Sequence, residues 1–255
     1  MKNIFYYLMP IMLIGCAGNG SAPTDEHPDD PYESMNRQVF AFNEEVDRYV
    51  FNPIISTYQT CLPNPIRVGI HNVYFNMAEI AYATNFYLQG DFENGYNETM
   101  RVLVNSTFGC GIFDMAANLG LPRKKNDFGK TLYLAGYTES AYYVAPFFGP
   151  MTIRDSYGMC VDKVVLSPLS YVNSPTWRNE LFVLSLIDTK ANLAEHLQKL
   201  TSLPYIEDKY SFVRDSYLQY RNYQLQSGQV NWDSFYDDLS DEPSDHEEEP
   251  IQENN

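Results

Sequence analysis

The sequence predicts a single, mostly α-helical domain, and three observations predict it. Apolar residues recur at helical spacing near both ends: Met35, Val39, Phe42, Val46 and Tyr49 fall at i, i+4, i+7, i+11 and i+14. Ile206, Tyr210, Val213, Tyr217 and Tyr220 repeat that spacing, and the dense run 181–187 continues through Leu193, Leu197 and Leu200. Alternation is too sparse for a β-barrel, and no apolar run reaches the eighteen or so residues of a spanning helix.

The first element precedes the fold. Lys2 and the short apolar run 4–14 read as a secretory signal peptide over 1–15. Its end, Leu13-Ile14-Gly15-Cys16, reads as a bacterial lipobox, with cleavage before Cys16 and a diacylglycerol on the thiol. Two or three acyl chains, at about 0.8 kcal/mol per buried methylene, anchor far more firmly than one. Residues 16–31, rich in Gly, Ser, Pro and Asp, read as an acidic flexible tether.

A first helix is expected over 35–49, stopped by Pro53. Pro63 and Pro65 mark a loop, after which Ile70, Tyr74, Met77 and Ala81 predict a second helix running towards Gly90. Asp91 suits the N-cap of a third, with Phe92, Tyr96, Met100 and Leu103 on one face. The middle is irregular, because Gly109, Gly111, Gly120, Gly129 and Gly136 interrupt every candidate element. Short helices are expected at 113–119 and 127–134, and an extended stretch, half of a hairpin, at 141–148. Pro150 suits the first turn of a helix reaching about Val165. A long helix follows over 177–200, with Asp188 or Thr189 as the place for a break, and the last helix ends near Gly228. The domain proper spans 32–230, and the acidic tail 231–255 reads as disordered.

The formal net charge of −16 belongs to the ends. Between Met35 and Tyr236 there are 19 acids and 16 bases, so the folded part is nearly neutral. No basic stripe exists to displace counterions from phosphates, which excludes nucleic acid as a partner. Cys61, Cys110 and Cys160 remain once Cys16 carries lipid. In an oxidising compartment they allow one disulfide and one leftover thiol, in three pairings; three buried apolar cysteines are the alternative. The 21 Tyr and 15 Phe suit either headgroup depth in a membrane or the core of a helical protein.

Catalytic signatures are missing: no Gly-x-Ser-x-Gly elbow, no Walker loop and no His-Glu-x-x-His pair occurs. His27, His71, His196 and His246 are scattered, and no pair among Cys61, Cys110, Cys160 and His71 has the spacing of zinc ligands. Gly109-Cys110-Gly111 reads as a flexible turn rather than a dinucleotide loop. Glu44-Glu45 and Glu207-Asp208 read as solvated helix faces. Neither an enzyme nor a cofactor is expected.

A series of short motifs resembles the MlaA/VacJ family of outer-membrane lipoproteins. DPYESMNRQVFAFN, carrying Asp30, Pro31, Asn36 and Arg37, is similar to the family's Asp-Pro-x-Glu-x-x-Asn-Arg opening. Leu88-Gln89-Gly90 matches a family turn. Asn105, Ser106, Thr107 and Gly109, then Asp114, match an Asn-Ser-Thr-x-Gly segment. Asp127, Phe128 and Gly129 open a match to Asp-Phe-Gly-Gln-Thr-Leu, with Lys130 in place of Gln. Pro146-x-x-Gly149-Pro150 and Arg154-Asp155 complete the series, which covers residues 30–158; beyond Asp162 only helical character matches.

The resemblance implies a ring- or disc-like domain of helices in the periplasmic leaflet of the outer membrane, enclosing an amphipathic channel. Misplaced phospholipids would pass from the outer leaflet to a soluble periplasmic lipid carrier, beside a trimeric porin, preserving lipid asymmetry. The gate would involve Gly109, Gly111, Gly136 and Tyr142. Family members often carry alternating glycines before the aromatic loop; here Thr138, Ser140 and Ala141 follow Gly136, which implies a stiffer hinge. Two other readings stand beside transport: an interaction lipoprotein with a solid helical core, and a lipid hydrolase built on His71 or His196.

Overall fold

The computed structural model describes residues 28–201 and 208–227. The signal stretch, Cys16, most of the tether, His27, Ile206, Glu207, His246 and the acidic tail lie outside the described residues, as does the His196 side chain. The periodic segments are helices: α1 (Glu33–Val46), α2 (Asn52–Cys61), α3 (Asn64–Leu88), α4 (Phe92–Thr107), α5 (Met115–Asn118), α6 (Phe128–Leu134), α7 (Ile153–Cys160), α8 (Pro175–Thr201) and α9 (Lys209–Ser227). An antiparallel hairpin, β1 (Tyr142–Ala145) with β2 (Gly149–Thr152), sits in the middle, at the stretch expected to be extended. The mostly helical class is as the sequence predicts.

Local chemistry explains the boundaries. Gly90, at φ 78°, turns α3 back along α4. Asp91 caps α4 by accepting from the Asn94 N–H at 3.1 Å. Asp114 and Asp127 cap α5 and α6 in the same way. α6 and α7 touch backbone to backbone: a Cβ on Gly158 would lie 2.3 Å from the Gly129 nitrogen, so no larger residue fits.

Several expectations are corrected. Pro53 does not stop the first helix. A π-helical turn over Asp47–Phe51 re-phases the hydrogen-bond ladder, and Pro53 falls in the first turn of α2, where its missing N–H costs nothing. Pro65 likewise lies in the first turn of α3, leaving Leu62 and Pro63 as the loop. Pro150 does not start a helix; it pairs with Val144 in a two-stranded ribbon whose outer edge needs no donor. α8 runs unbroken through Asp188 and Thr189. Cys61, Cys110 and Cys160 are neither paired nor buried; all three are free and exposed. Asp30, expected in a solvated spacer, has no exposure at all. Glu44 and Asp208 stay solvated, as expected, while also pairing with Lys209 and Arg37 respectively.

The distribution of side chains is inverted relative to an ordinary soluble domain. Among the described residues 14 polar or charged residues are buried against 13 apolar ones, several of the latter being alanines. Meanwhile 32 large hydrophobic residues are exposed. The one compact apolar cluster is Tyr142, Val144 and Tyr210, with Val39, Phe40, Tyr217 and Leu218 against it. No helix of the described residues is long and apolar enough to cross a membrane.

Candidate functional site

The motif residues converge on three polar joints between helices. In the first, Asn36 on α1 donates to Asp30 Oδ1 at 2.7 Å and accepts from the Val144 N–H at 2.9 Å. Tyr210 on α9 donates to the other Asp30 oxygen at 2.5 Å, and Arg214 stands 3.5 Å from it. Burial, reinforced by Asp30, pushes the Tyr210 hydroxyl far above its ordinary range, so it stays a donor. Arg37 pairs with Glu33 at 2.8 Å and Asp208 at 2.7 Å. Two turns after Asn36, Asn43 donates to Ala145 O at 3.0 Å and accepts from the Phe147 N–H at 2.8 Å. That clamp holds the hairpin tip, where Phe147 sits at φ 69°. Pro31 is exposed beside this joint.

The second joint is centred on Arg101, wholly buried on α4. Its guanidinium meets Glu79 of α3 at 2.9 Å and Asp114 at 2.8 Å, and donates to Leu121 O. Arg123 reaches the same carboxylates at 2.7 and 3.0 Å. Asn105 accepts from the Ala116 N–H at 2.9 Å and donates to Asp114 at 3.1 Å, while Ser106 accepts from Asn76 at 2.9 Å. Thr107 is exposed at the end of α4. Glu98, also without exposure, accepts from the Lys124 N–H at 2.7 Å. Desolvation, against that bond, raises its pKa to about 7.

The third joint fastens α9 to the middle of the chain. Arg221 donates to Asp127 at 2.6 and 2.8 Å and to Asp155 at 2.7 and 3.0 Å. Tyr217 donates to Asp155 at 2.9 Å. Burial works to raise the Asp155 pKa, but the Arg221 guanidinium overcomes it, and the carboxyl titrates below its ordinary range. Arg154, from the same motif, donates to the carbonyls of Tyr137 and Thr138 at 3.3 and 3.1 Å. Beside this joint the Phe128 N–H and Asn85 both donate to Asp162, at 3.0 and 2.8 Å.

The four gate candidates are not brought together. Gly109 and Gly111 shape the turn after α4. A Cβ on Gly109 would lie 2.3 Å from Phe113 O, and Gly111 takes φ 71°. Gly136 (φ 107°) ends α6 at the start of the loop that Arg154 ties down. Tyr142 is fully buried in the apolar cluster.

Sequence reasoning did not single out the arginines at the centres, Arg101, Arg214 and Arg221, or the Asn43 clamp. A signal was present on α9: Arg214 and Arg221 each stand four residues after Tyr210 and Tyr217, on the tyrosine face. Among the described residues no group of His, Cys, Asp and Glu is arranged to hold a metal. His71 is bonded to Asp188 at 2.7 Å and lies near Asn192, with no serine hydroxyl bonded to it among the described residues. These joints hold helices together around polar interiors.

Comparison with known proteins adds the following. A family profile described as MlaA lipoprotein matches residues 28–224. A protein of Escherichia coli (strain K12), "Intermembrane phospholipid transport system lipoprotein MlaA", is 32% identical over 248 residues, covering 90% of this chain and 93% of its own. A protein of the same description in Haemophilus influenzae is 28% identical over 228 residues, covering 88% and 90%. A solved structure described as the structural basis for maintenance of bacterial outer membrane lipid asymmetry superposes with a TM-score of 0.65 at 32% identity, covering 76% of this chain and 98% of that one.

Proposed function

The chain belongs to the MlaA lipoprotein family, and on that premise we propose that it removes misplaced phospholipids from the outer leaflet of the outer membrane. The observation that carries this reading is the inverted build: charged side chains inside, large apolar ones outside. A phospholipid has a charged head and apolar tails, so its path needs polar walls within an apolar rim. Helices joined by buried arginine–carboxylate networks supply the first, and exposed residues such as Phe92, Tyr96 and Leu103 on α4, and Phe108 just past its end, supply the second.

In this reading Cys16 carries the acyl chains, and the helices form a ring on the periplasmic side of the membrane. Lipid leaves to a soluble periplasmic carrier, beside a trimeric porin. The chain makes and breaks no bond, so transport requires no cofactor here. Gly109 and Gly111 are fixed turns of the channel wall. The gate bends at Gly136, with Tyr142 as its anchored end.

The test is the outer-leaflet phospholipid level in cells lacking this protein. We expect accumulation, reversed by the wild-type chain and less fully by Cys16→Ser. Normal outer-leaflet phospholipid in the deletion strain overturns the proposal.

A further inference from the structure

α3 carries Arg67 and His71 one turn apart on one face. Among the described residues the Arg67 side chain has neither an ion pair nor a hydrogen bond, and its Nε is shut off from solvent without a partner. In this it differs from Arg101, Arg214 and Arg221, each held by carboxylates. A desolvated cationic donor lacking an acceptor is unfavourable, and an arriving anion relieves it.

His71 beside it is firmly placed. Asp188 of α8, 2% exposed, takes His71 Nδ1 on one oxygen at 2.7 Å and the Tyr58 hydroxyl of α2 on the other at 3.1 Å. Arg67 acts electrostatically on that same tyrosine, so the four groups share one neighbourhood. Asn192 donates to the Asp188 carbonyl at 2.8 Å and stands 3.1 Å from Nδ1. With the carboxylate taking the Nδ1 proton, the Nε2 edge is left to face another group. One more turn along α3, Phe75 packs edge-on against His71 at 4.4 Å. Its ring carries Arg123 at 4.3 Å and Lys125 at 5.4 Å. Arg123 is itself paired with Glu79 and Asp114, so the charge this face offers an anion is chiefly that of Arg67.

We propose that Arg67 and His71 form a binding site for the phosphate group of a lipid headgroup, with Asp188 and Tyr58 as positioning residues. A guanidinium and, in the protonated ring, the Nε2–H of His71 match two oxygens of a phosphodiester, while Asp188 takes the Nδ1–H. The lipid source rests on the transport reading, because inorganic phosphate offers the same oxygens.

The full chain, purified in a non-ionic detergent, is titrated with dihexanoyl-phosphatidylglycerol, with dihexanoylglycerol and with inorganic phosphate. The phospholipid is expected to bind at least tenfold more tightly than the phosphate-free lipid. Arg67→Gln is expected to weaken phospholipid binding at least tenfold, with Arg67→Lys recovering part of it. His71→Gln, which keeps the guanidinium, should weaken binding several-fold and stands as the test should Arg67→Gln fold poorly. Inorganic phosphate binding as tightly as the phospholipid would overturn the lipid assignment. Equal phospholipid affinity in wild type and both variants would overturn the site itself. The transport reading fails separately: a deletion strain with normal outer-leaflet lipid would end it even where Arg67-dependent binding is found.

Discussion

The Arg101 and Arg221 joints are built alike, yet they respond oppositely to charge. Arg101 binds neighbours in sequence, 3 to 22 residues away: the buried Glu79 and Glu98 and the half-buried Asp114, of which Glu79 and Asp114 also pair with Arg123. Arg221 reaches 66 and 94 residues back, and holds two carboxylates in four hydrogen bonds. In the first joint three carboxylates face two guanidiniums, and burial, with Glu79 adding to it, keeps Glu98 protonated up to about pH 7. The second keeps Asp155 ionised. A buried guanidinium therefore stabilises according to how many carboxylates surround it.

The largest expected effect comes from emptying the second joint. Arg221→Met leaves Asp127 and Asp155 facing each other without a cation, and should cost about 3–5 kcal/mol of stability. Denaturant unfolding in detergent at pH 7 measures this; a loss below about 1 kcal/mol would make the two joints unequal in kind. Next comes pH. The folded pKa of Glu98 lies above its unfolded value, so its ionisation disfavours the fold increasingly from about pH 4.5 up to 7, by roughly 3 kcal/mol in total. Glu98→Gln should flatten that decline and be more stable than wild type at pH 8. Asp155 works the other way: its lowered pKa gives stability that is present above about pH 4 and lost in stronger acid. Arg221→Met should erase that acid-side loss while leaving the Glu98 slope intact, which thermal melts from pH 3 to 8 will show.

Two smaller effects sharpen the contrast between joints and simpler attachments. Asn43→Ala removes both bonds to the hairpin tip and strands Ala145 O and the Phe147 N–H, for about 1–3 kcal/mol. Faster amide exchange confined to 142–149 is the expected signature. Asp91→Ala removes an N-cap and one side-chain bond from Asn94, both within the first turn of α4, and should cost about 1 kcal/mol. A larger loss would mean that the α3–α4 turn is coupled to the Arg101 network.

These differences also show what was legible in the chain. Periodicity located α1 and α9, and Asp91 was readable as a cap because capping is local, whereas Asp127 caps α6 at the position expected to be its first helical residue. Pro53 and Pro150 misled because proline forbids only a needed donor, and a π-turn or an outer ribbon edge needs none. The motifs pointed at Asp30, Asn36, Asp127 and Asp155 without revealing what those residues bond. Their partners Tyr210, Arg214 and Arg221 lie on a helix where only amphipathic character matched, so neither pattern nor resemblance paired them. Asp188 read as a helix interruption because a lone acid among leucines suggests one; its partners on α2 and α3 make it a buried anchor instead.

Asp30 and Arg214 are 184 residues apart, yet each completes the other's surroundings. Synthesis and export deliver Asp30 early and α9 near the finish, so the clasp closes only when almost the entire polypeptide has emerged. Contacts of such long range slow folding. Until that clasp forms, neither Asp30 nor Arg214 has the partner that the finished fold gives it.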